Sequence, residues 1–112
     1  MTTEPAGFFE FSVDADASSD GTASVIVRGE LDLSTADQLR DQLYGLLDAG
    51  TTNVTLDVSG LSFIDSTGLG VIVAVLKRAR QQGGNLVLRG PSRSARKVID
   101  ISGLSQIVEI ID

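Results

Sequence analysis

Residues 53–79, NVTLDVSGLSFIDSTGLGVIVAVLKRA, join two hydrophobic patterns in one short stretch. The first part, NVTLDVS (53–59), alternates apolar and polar residues, which predicts a half-buried strand. The second part repeats apolar residues at helical spacing, which predicts the inward face of a helix. The residues of that face are Leu69, Ile72, Leu76 and Ala79. A strand that leads directly into a helix is the repeating unit of α/β folds, so this stretch favours that fold class.

The rest of the chain continues the alternation. The helix predicted after Ser34 or Thr35, either of which can cap it, has Leu39, Leu43, Leu46 and Leu47 on one face. Gly50 can end that helix. Gly83 and Gly84 can end the second helix, and Gly103 can end a third, shorter helix within 91–103. The predicted strands are FFEFSV (8–13), ASVIVRGEL (23–31), NVTLDVS (53–59), NLVLRG (85–90) and QIVEII (106–111), with a polar turn at 14–22.

These elements predict one domain over residues 1–112, with residues 1–7 as a frayed end. We expect an α/β fold with a mostly parallel or mixed sheet of four to five strands and helices packed against it. The first two strands are predicted to form a hairpin with a loose connection. Strands that are connected through a helix should run parallel, because right-handed crossovers return the chain in the same direction.

The composition excludes several function classes. A formal net charge of −6 disfavours binding to nucleic acid or to an anionic membrane surface. The chain has no cysteine and no histidine, which removes thiolate chemistry and the commonest general base and transition-metal ligand. The longest apolar runs are also far too short to cross a bilayer. We therefore expect a cytoplasmic protein without metal or cofactor that binds other proteins.

Two separated segments are predicted to be neighbours. Parallel strands end at the same edge of a sheet, so GELDLST (29–35) and FIDSTGLG (63–70) should meet there. Open α/β sheets place their functional sites at this edge. Asp32, Asp65 and Ser66 are thus predicted to lie close together although more than thirty residues separate the segments.

The hydroxyl pair Ser66 and Thr67 lies where a helix begins and exposes unpaired backbone N–H groups. One hydroxyl can cap the helix and the other is a candidate for modification. A phosphate there would carry about −1.5 to −2 charges, and nearby N–H groups could stabilise it by roughly 0.3–1 kcal/mol. Simpler interpretations stay open: both hydroxyls as caps, Gly68 as a packing position, and Leu69 as part of the core.

Three motifs of the chain resemble one protein family. VRGELDLSTADQLRDQL (27–43) is similar to a strand and first helix of the STAS domain. DVSGLSFIDSTGLGVIV (57–73) resembles its signature loop and second helix, and GGNLVLRGPSRSARKVIDISGL (83–104) its last strand and helix. The resemblance is greatest to the single-domain anti-sigma factor antagonists of bacteria. The combination of GELD and DSTGLG at this spacing is more specific than either motif alone.

The resemblance implies a mechanism called partner switching. The unphosphorylated antagonist binds an anti-sigma factor that is also a serine kinase with a histidine-kinase-like ATPase fold, and the sigma factor is released. The kinase then phosphorylates the first hydroxyl after the aspartate, here Ser66, and a metal-dependent serine phosphatase restores the free form. We also expect a monomer with no catalytic residues. Partner binding is predicted for Asp32, Asp65, Ser66, Thr67, Gly68 and Leu69.

Two other functions compete with this one. An enzyme is disfavoured because the chain has no histidine, no G-x-S-x-G elbow and no P-loop, although Asp32 and Asp65 could in principle hold Mg²⁺. The second alternative is a STAS interaction module of a stressosome-type or transport complex that works without phosphorylation.

Overall fold

The computed structural model of the protein describes residues 10–112. Its elements along the chain are β1 (Ser12–Ala17), β2 (Thr22–Leu31), α1 (Ala36–Asp48), β3 (Asn53–Ile64), α2 (Ser66–Gln81), β4 (Asn85–Arg89), α3 (Arg93–Ser102), a short 3₁₀ helix (Leu104–Gln106) and β5 (Glu109–Ile111). The strands form one sheet in the order β1-β2-β3-β4-β5. Only the β1–β2 pair is antiparallel; the other three pairs are parallel. The predicted α/β class with a mixed sheet is confirmed.

The core lies on one face of this sheet. Alternate residues of β2, among them Val25 and Val27, are fully buried, and the residues between them are exposed or half-buried. The predicted inward face of α2 is buried as well. In α1, Leu39, Leu43 and Leu47 are buried, and Leu46 is half-buried at the margin of the core. All these side chains belong to one apolar cluster. The three helices therefore cover one face of the sheet.

The first strand corrects the sequence prediction. Residues 14–17, predicted as part of a turn, belong to β1, which pairs with β2 from Ser12 opposite Arg28 to Ala17 opposite Ala23. The side chains of residues 14–17 are exposed, so this half of the edge strand is held by its backbone hydrogen bonds, whereas Val13 packs against the core. The hairpin itself is confirmed, with a turn at 18–21. Residues 1–7, predicted to be frayed, and residues 8 and 9 of the predicted strand lie outside the described residues.

Two other strands differ in length from the predictions. β3 continues through GLSFI as far as Ile64, because irregular pairing opposite Arg28 and Glu30 keeps it in the sheet. Gly60 allows this path, since a Cβ there would lie 2.8 Å from the Cγ of Arg28. β5 is shorter than predicted, because the chain first forms the 3₁₀ helix after Gly103. Because β3 continues to Ile64, it leads directly to Asp65 without an intervening loop.

Candidate functional site

The carboxyl ends of β2 and β3 lie side by side, as predicted. Leu31 pairs with Ile64, and the backbone N–H of Asp65 donates a hydrogen bond to the carbonyl oxygen of Leu31 at 3.2 Å. Each strand then leads within a few residues into the start of a helix. We call residues 32–35 and 63–67, which lie together at this edge, the carboxyl rim.

Asp65, and not a hydroxyl, caps α2. Its Oδ1 accepts hydrogen bonds from the backbone N–H groups of Thr67 at 2.9 Å and Gly68 at 3.1 Å. A cap of this kind is typically worth about 1 kcal/mol. The expectation that a hydroxyl of Ser66 or Thr67 caps the helix is therefore wrong, because the Asp65 carboxylate already accepts hydrogen bonds from these N–H groups. Thr67 contributes its backbone N–H to this cap and is itself half-buried.

Asp32 organises the connection from β2 to α1. Its Oδ1 accepts hydrogen bonds from the backbone N–H and hydroxyl of Ser34, at 2.9 and 2.7 Å. The hydroxyl of Ser34 is the largest cause of the lowered pKa of Asp32, because it stabilises the ionised carboxylate. Thr35 is the N-cap residue of α1, but its hydroxyl donates to the carbonyl of Glu30 at 2.7 Å instead of capping. The predicted side-chain cap at Ser34 or Thr35 is thus wrong.

Ser66 is the first residue of α2 and its side chain is exposed. Two of the N–H groups next to it are already held by Asp65, and the N–H of Leu69 donates to the Asp65 carbonyl at 3.0 Å. A phosphate on Ser66 would therefore find fewer free donors at the helix start than the sequence suggests. It would stand at the surface near the carboxylate of Asp65, where water is its main partner.

Gly68 and Leu69 lie beneath this surface. A Cβ on Gly68 would come within 2.6 Å of the Cγ of Leu31, so the glycine allows α2 to pack tightly against the end of β2. Leu69 is only 9% exposed and belongs to the core cluster. The simpler interpretations of these two residues therefore fit the structure, and a direct contact with a partner is restricted to what remains accessible of Leu69.

Two apolar side chains on the carboxyl rim escaped the sequence analysis. Leu33 is 78% exposed and Phe63 is 49% exposed. Exposed side chains of this size often mark a surface that another protein covers. The sequence held one signal: Leu33 lies between two polar residues, Asp32 and Ser34, in the short connection from a strand to a helix. Phe63 gave no such signal, because it precedes the buried Ile64 within an apolar run.

A groove opens beside Ser66, between the start of α2 and the end of α3. It encloses about 300 Å³ and is lined by Ser66, Leu69, Val73, Ser102, Gly103, Leu104 and Ile107. We call it the α2–α3 groove. None of its lining residues carries a charge, and four of them are apolar side chains. Ser66 thus belongs both to the carboxyl rim and to the edge of this groove.

Metal sites and membrane-spanning helices are not found in the part of the chain that the structure describes. Residues 10–112 contain no group of three acidic side chains placed to hold a metal ion. None of the helices in these residues is long and apolar enough to cross a membrane. The exposed hydroxyl and its apolar surroundings are therefore the features that remain to be explained.

Comparison with known proteins gives a consistent result. The family model of the STAS domain matches residues 16–112. The anti-sigma-B factor antagonist of Bacillus subtilis is 37% identical over 86 residues, which are 77% of this chain and 78% of that protein. The antagonist of the same name from Staphylococcus epidermidis is 36% identical over 77% of this chain and 80% of its own length.

Solved structures agree with these relatives. A putative anti-sigma factor antagonist from Thermotoga maritima superposes with a TM-score of 0.80 at 28% identity, covering 91% of this chain and 86% of the other. The anti-sigma factor antagonist SpoIIAA in its unphosphorylated form gives a TM-score of 0.78 at 25% identity, covering 88% and 87%. Bacillus SpoIIAA in its phosphorylated form gives 0.70 at 25% identity, covering 88% and 90%.

Proposed function

This chain belongs to the STAS domain family, and from that premise we propose that it is an anti-sigma factor antagonist controlled by phosphorylation of Ser66. In its unphosphorylated form it binds an anti-sigma factor that is also a serine kinase with a histidine-kinase-like ATPase fold, and a sigma factor is released. The kinase phosphorylates Ser66 and the complex dissociates. A metal-dependent serine phosphatase regenerates the active form. We place this cycle in the cytoplasm and the free protein in a monomeric state.

The observation that carries the proposal is the exposure of Ser66 at the first position of α2, beside two exposed apolar side chains. An exposed hydroxyl at a helix start is within reach of a kinase without any unfolding. Leu33 and Phe63 on the same rim provide apolar area that a docked protein would cover. These exposures support a phosphoacceptor and a docking surface on the same rim.

This arrangement allows a phosphate to change binding without changing the fold. On the free protein the phosphate stays in water, so the free-energy cost of carrying it is small. Under a docked partner the same dianion would be buried without a counter-charge, which costs several kcal/mol. Since each 1.4 kcal/mol is about a tenfold change in the dissociation constant, the complex would weaken by several powers of ten.

The phosphoacceptor can be identified directly. We expect that incubation with the cognate kinase and ATP, followed by mass spectrometry, finds one phosphate on Ser66. The matched control is Ser24→Ala, which removes an exposed serine hydroxyl near the other end of β2 and should leave phosphorylation of Ser66 intact. Ser66→Ala should bind the kinase without being modified, and Ser66→Asp should stay folded but lose binding. Phosphate found only at another residue would contradict the site.

The same experiment separates the alternative function. If Ser66→Asp binds its partners as tightly as the unmodified protein, the chain acts as a STAS interaction module of a stressosome-type or transport complex without this switch. A circular-dichroism melt of each variant shows whether lost binding reflects the surface or the fold.

A further inference from the structure

We propose that Asp65 is a positioning residue of the phosphorylation switch, which holds the N–H donors at the start of α2 and thereby keeps a phosphate on Ser66 in solvent. The inference rests on the proposed function and adds to it how the phosphate is kept exposed. Without this carboxylate, the N–H groups at the helix start would bind the phosphate themselves, because the amino ends of helices attract anions.

The donors that a phosphate would need are already bonded. The N–H groups of Thr67 and Gly68 donate to Oδ1 of Asp65 at 2.9 and 3.1 Å. The N–H of Leu69 donates to the carbonyl oxygen of Asp65 at 3.0 Å, so one residue satisfies three consecutive donors. Asp65 is half-buried, whereas Ser66 is exposed. A phosphate on Ser66 would therefore have to displace a sheltered carboxylate to reach these N–H groups.

The first turn of α2 is also fixed to the sheet. The N–H of Asp65 donates to the carbonyl oxygen of Leu31 at 3.2 Å, which joins the cap residue to the end of β2. Gly68 packs so closely on the same residue that an added Cβ would lie 2.6 Å from the Cγ of Leu31. The cap and one of its donors are thus both held against Leu31. The helix start cannot rotate its N–H groups towards the side chain of Ser66 without losing these contacts.

The charge of Asp65 acts in the same direction as its hydrogen bonds. A phosphate on the next residue carries about −1.5 to −2 charges and is repelled by a neighbouring carboxylate. Hydrogen bonds from N–H groups to a carboxylate are also stronger than those to a neutral acceptor, so the cap holds its donors firmly. The phosphate therefore keeps its full charge at the surface where a partner docks, and it stays accessible to a phosphatase.

Two aspartates of the carboxyl rim provide a matched test. Phosphoserine is incorporated at position 66 through an expanded genetic code, so that no kinase is needed, and nitrogen-15 HSQC spectra are recorded at about pH 7.5, where the phosphate is mostly a dianion. With Asp65 in place, the N–H signals of Thr67 and Gly68 should keep their positions when the phosphate is added.

In Asp65→Ala the same two signals should move downfield on phosphorylation, because the N–H groups then donate to the phosphate. The phosphate should also raise the melting temperature of that variant by roughly 2–6 °C, and should not raise that of the protein with Asp65. The control Asp32→Ala removes the other carboxylate, which bonds within residues 32–35, and should respond like the protein with Asp65. Asp65→Gly is a second variant if the alanine prevents folding, since glycine is tolerated at a helix N-cap.

The outcomes are distinguishable. Downfield movement of the Thr67 and Gly68 signals with Asp65 in place overturns the inference, since the phosphate then displaces the carboxylate. Signals that stay in place in both Asp65 variants overturn it as well, because the donors then do not bind the phosphate even when they are free. Equal responses of Asp65→Ala and Asp32→Ala assign the effect to the charge of the whole rim, against the inference. None of these results involves the kinase, whereas kinase phosphorylation mapped only to another residue rejects the proposed function and leaves the spectra unaffected.

Discussion

The two ends of the sheet are built in different ways. At the amino end, Gly21 and Thr52 directly precede β2 and β3, and the backbone of one turn bonds to the next. The carbonyl of Gly21 accepts from the N–H groups of Thr52 and Asn53, both at 3.1 Å, and the carbonyl of Thr52 accepts from Asn85 at 3.0 Å. At the carboxyl rim a single backbone bond, from Asp65 to Leu31, joins β2 to the residue after β3. The carboxylates of Asp32 and Asp65 bond there to the backbone of their own segments.

This difference explains where a modification can be placed. At the amino end an added Cβ on Gly84 would meet the backbone of Thr52, so a substituent there must move the turn that also bonds to Asn85. At the carboxyl rim, the carboxylates of Asp32 and Asp65 satisfy the backbone locally, and the hydroxyl of Ser66 is left exposed. A phosphate added to Ser66 therefore changes the surface while the sheet below keeps its hydrogen bonds.

The largest effect is expected at the amino end, from Gly84→Ala. A Cβ on Gly84 would lie 2.0 Å from the carbonyl oxygen of Thr52, a backbone atom that also accepts a hydrogen bond from Asn85. Relief requires the turns to separate, so we expect a loss of about 4 kcal/mol or more in the free energy of unfolding. Urea denaturation monitored by circular dichroism measures it.

The control for Gly84→Ala is Gly45→Ala in α1, where nothing lies within 4 Å of the added Cβ. That substitution should stabilise the protein by about 0.5–1 kcal/mol, because alanine is the better helix former. If Gly84→Ala unfolds at the same urea concentration as the unmodified protein, the amino end is not fixed by its backbone as described.

The sequence predicted the carboxyl end of the sheet better than the amino end. The hydrophobic period predicted helices α1 and α2 and the strand β2. The topology of parallel strands predicted that the segments carrying Asp32 and Asp65 are neighbours. The close approach of Gly84 to Thr52 was not predicted, since a glycine pair at the end of a helix gives no information about what it touches. The capping role of Asp65 was missed because a serine and a threonine stood one position later. Exposure of Phe63 depends on irregular pairing in β3, which no local pattern encodes.

A smaller effect is expected from two glycines at the start of α2, just beyond the carboxyl rim. In Gly68→Ala the new Cβ would be 2.6 Å from the Cγ of Leu31, a fully buried side chain that has little freedom to move. We expect it to lower the free energy of unfolding by about 1–3 kcal/mol, as for an overpacked core. Gly70→Ala, with nothing within 4 Å, should raise it by about 0.5–1 kcal/mol.

Urea denaturation of both variants, combined with kinase binding, tests whether Gly68 is a packing residue. Gly70→Ala is the control, since it makes the same change two positions further along α2. Equal stabilities for the two variants would show that α2 can move away from Leu31. Weaker binding by a fully stable Gly68→Ala would instead assign Gly68 to the docking surface.

The smallest effects concern two aspartates near the two ends of β2. Asp20 accepts from the N–H and hydroxyl of Thr22 at 3.2 and 2.7 Å, as Asp32 does from Ser34 at 2.9 and 2.7 Å. In each case the hydroxyl is the largest cause of a lowered pKa. A carboxylate with a lowered pKa in the folded state stabilises the fold at neutral pH. That contribution is lost as the pH falls below the ordinary aspartate value and through the lowered pKa.

Carbon-13 NMR titration of the carboxylates should therefore separate the two ends of β2. Thr22→Val should raise the pKa of Asp20 towards its ordinary value. Ser34→Ala should raise the pKa of Asp32 less completely, because the hydroxyl of Thr35 lies 3.3 Å from the same oxygen. Phosphorylation of Ser66 should raise the pKa of Asp32, since a neighbouring negative charge disfavours the ionised carboxylate, and leave that of Asp20 unchanged. Equal responses of both aspartates to the phosphate would mean that its charge acts on the whole molecule and not on the rim where it is attached.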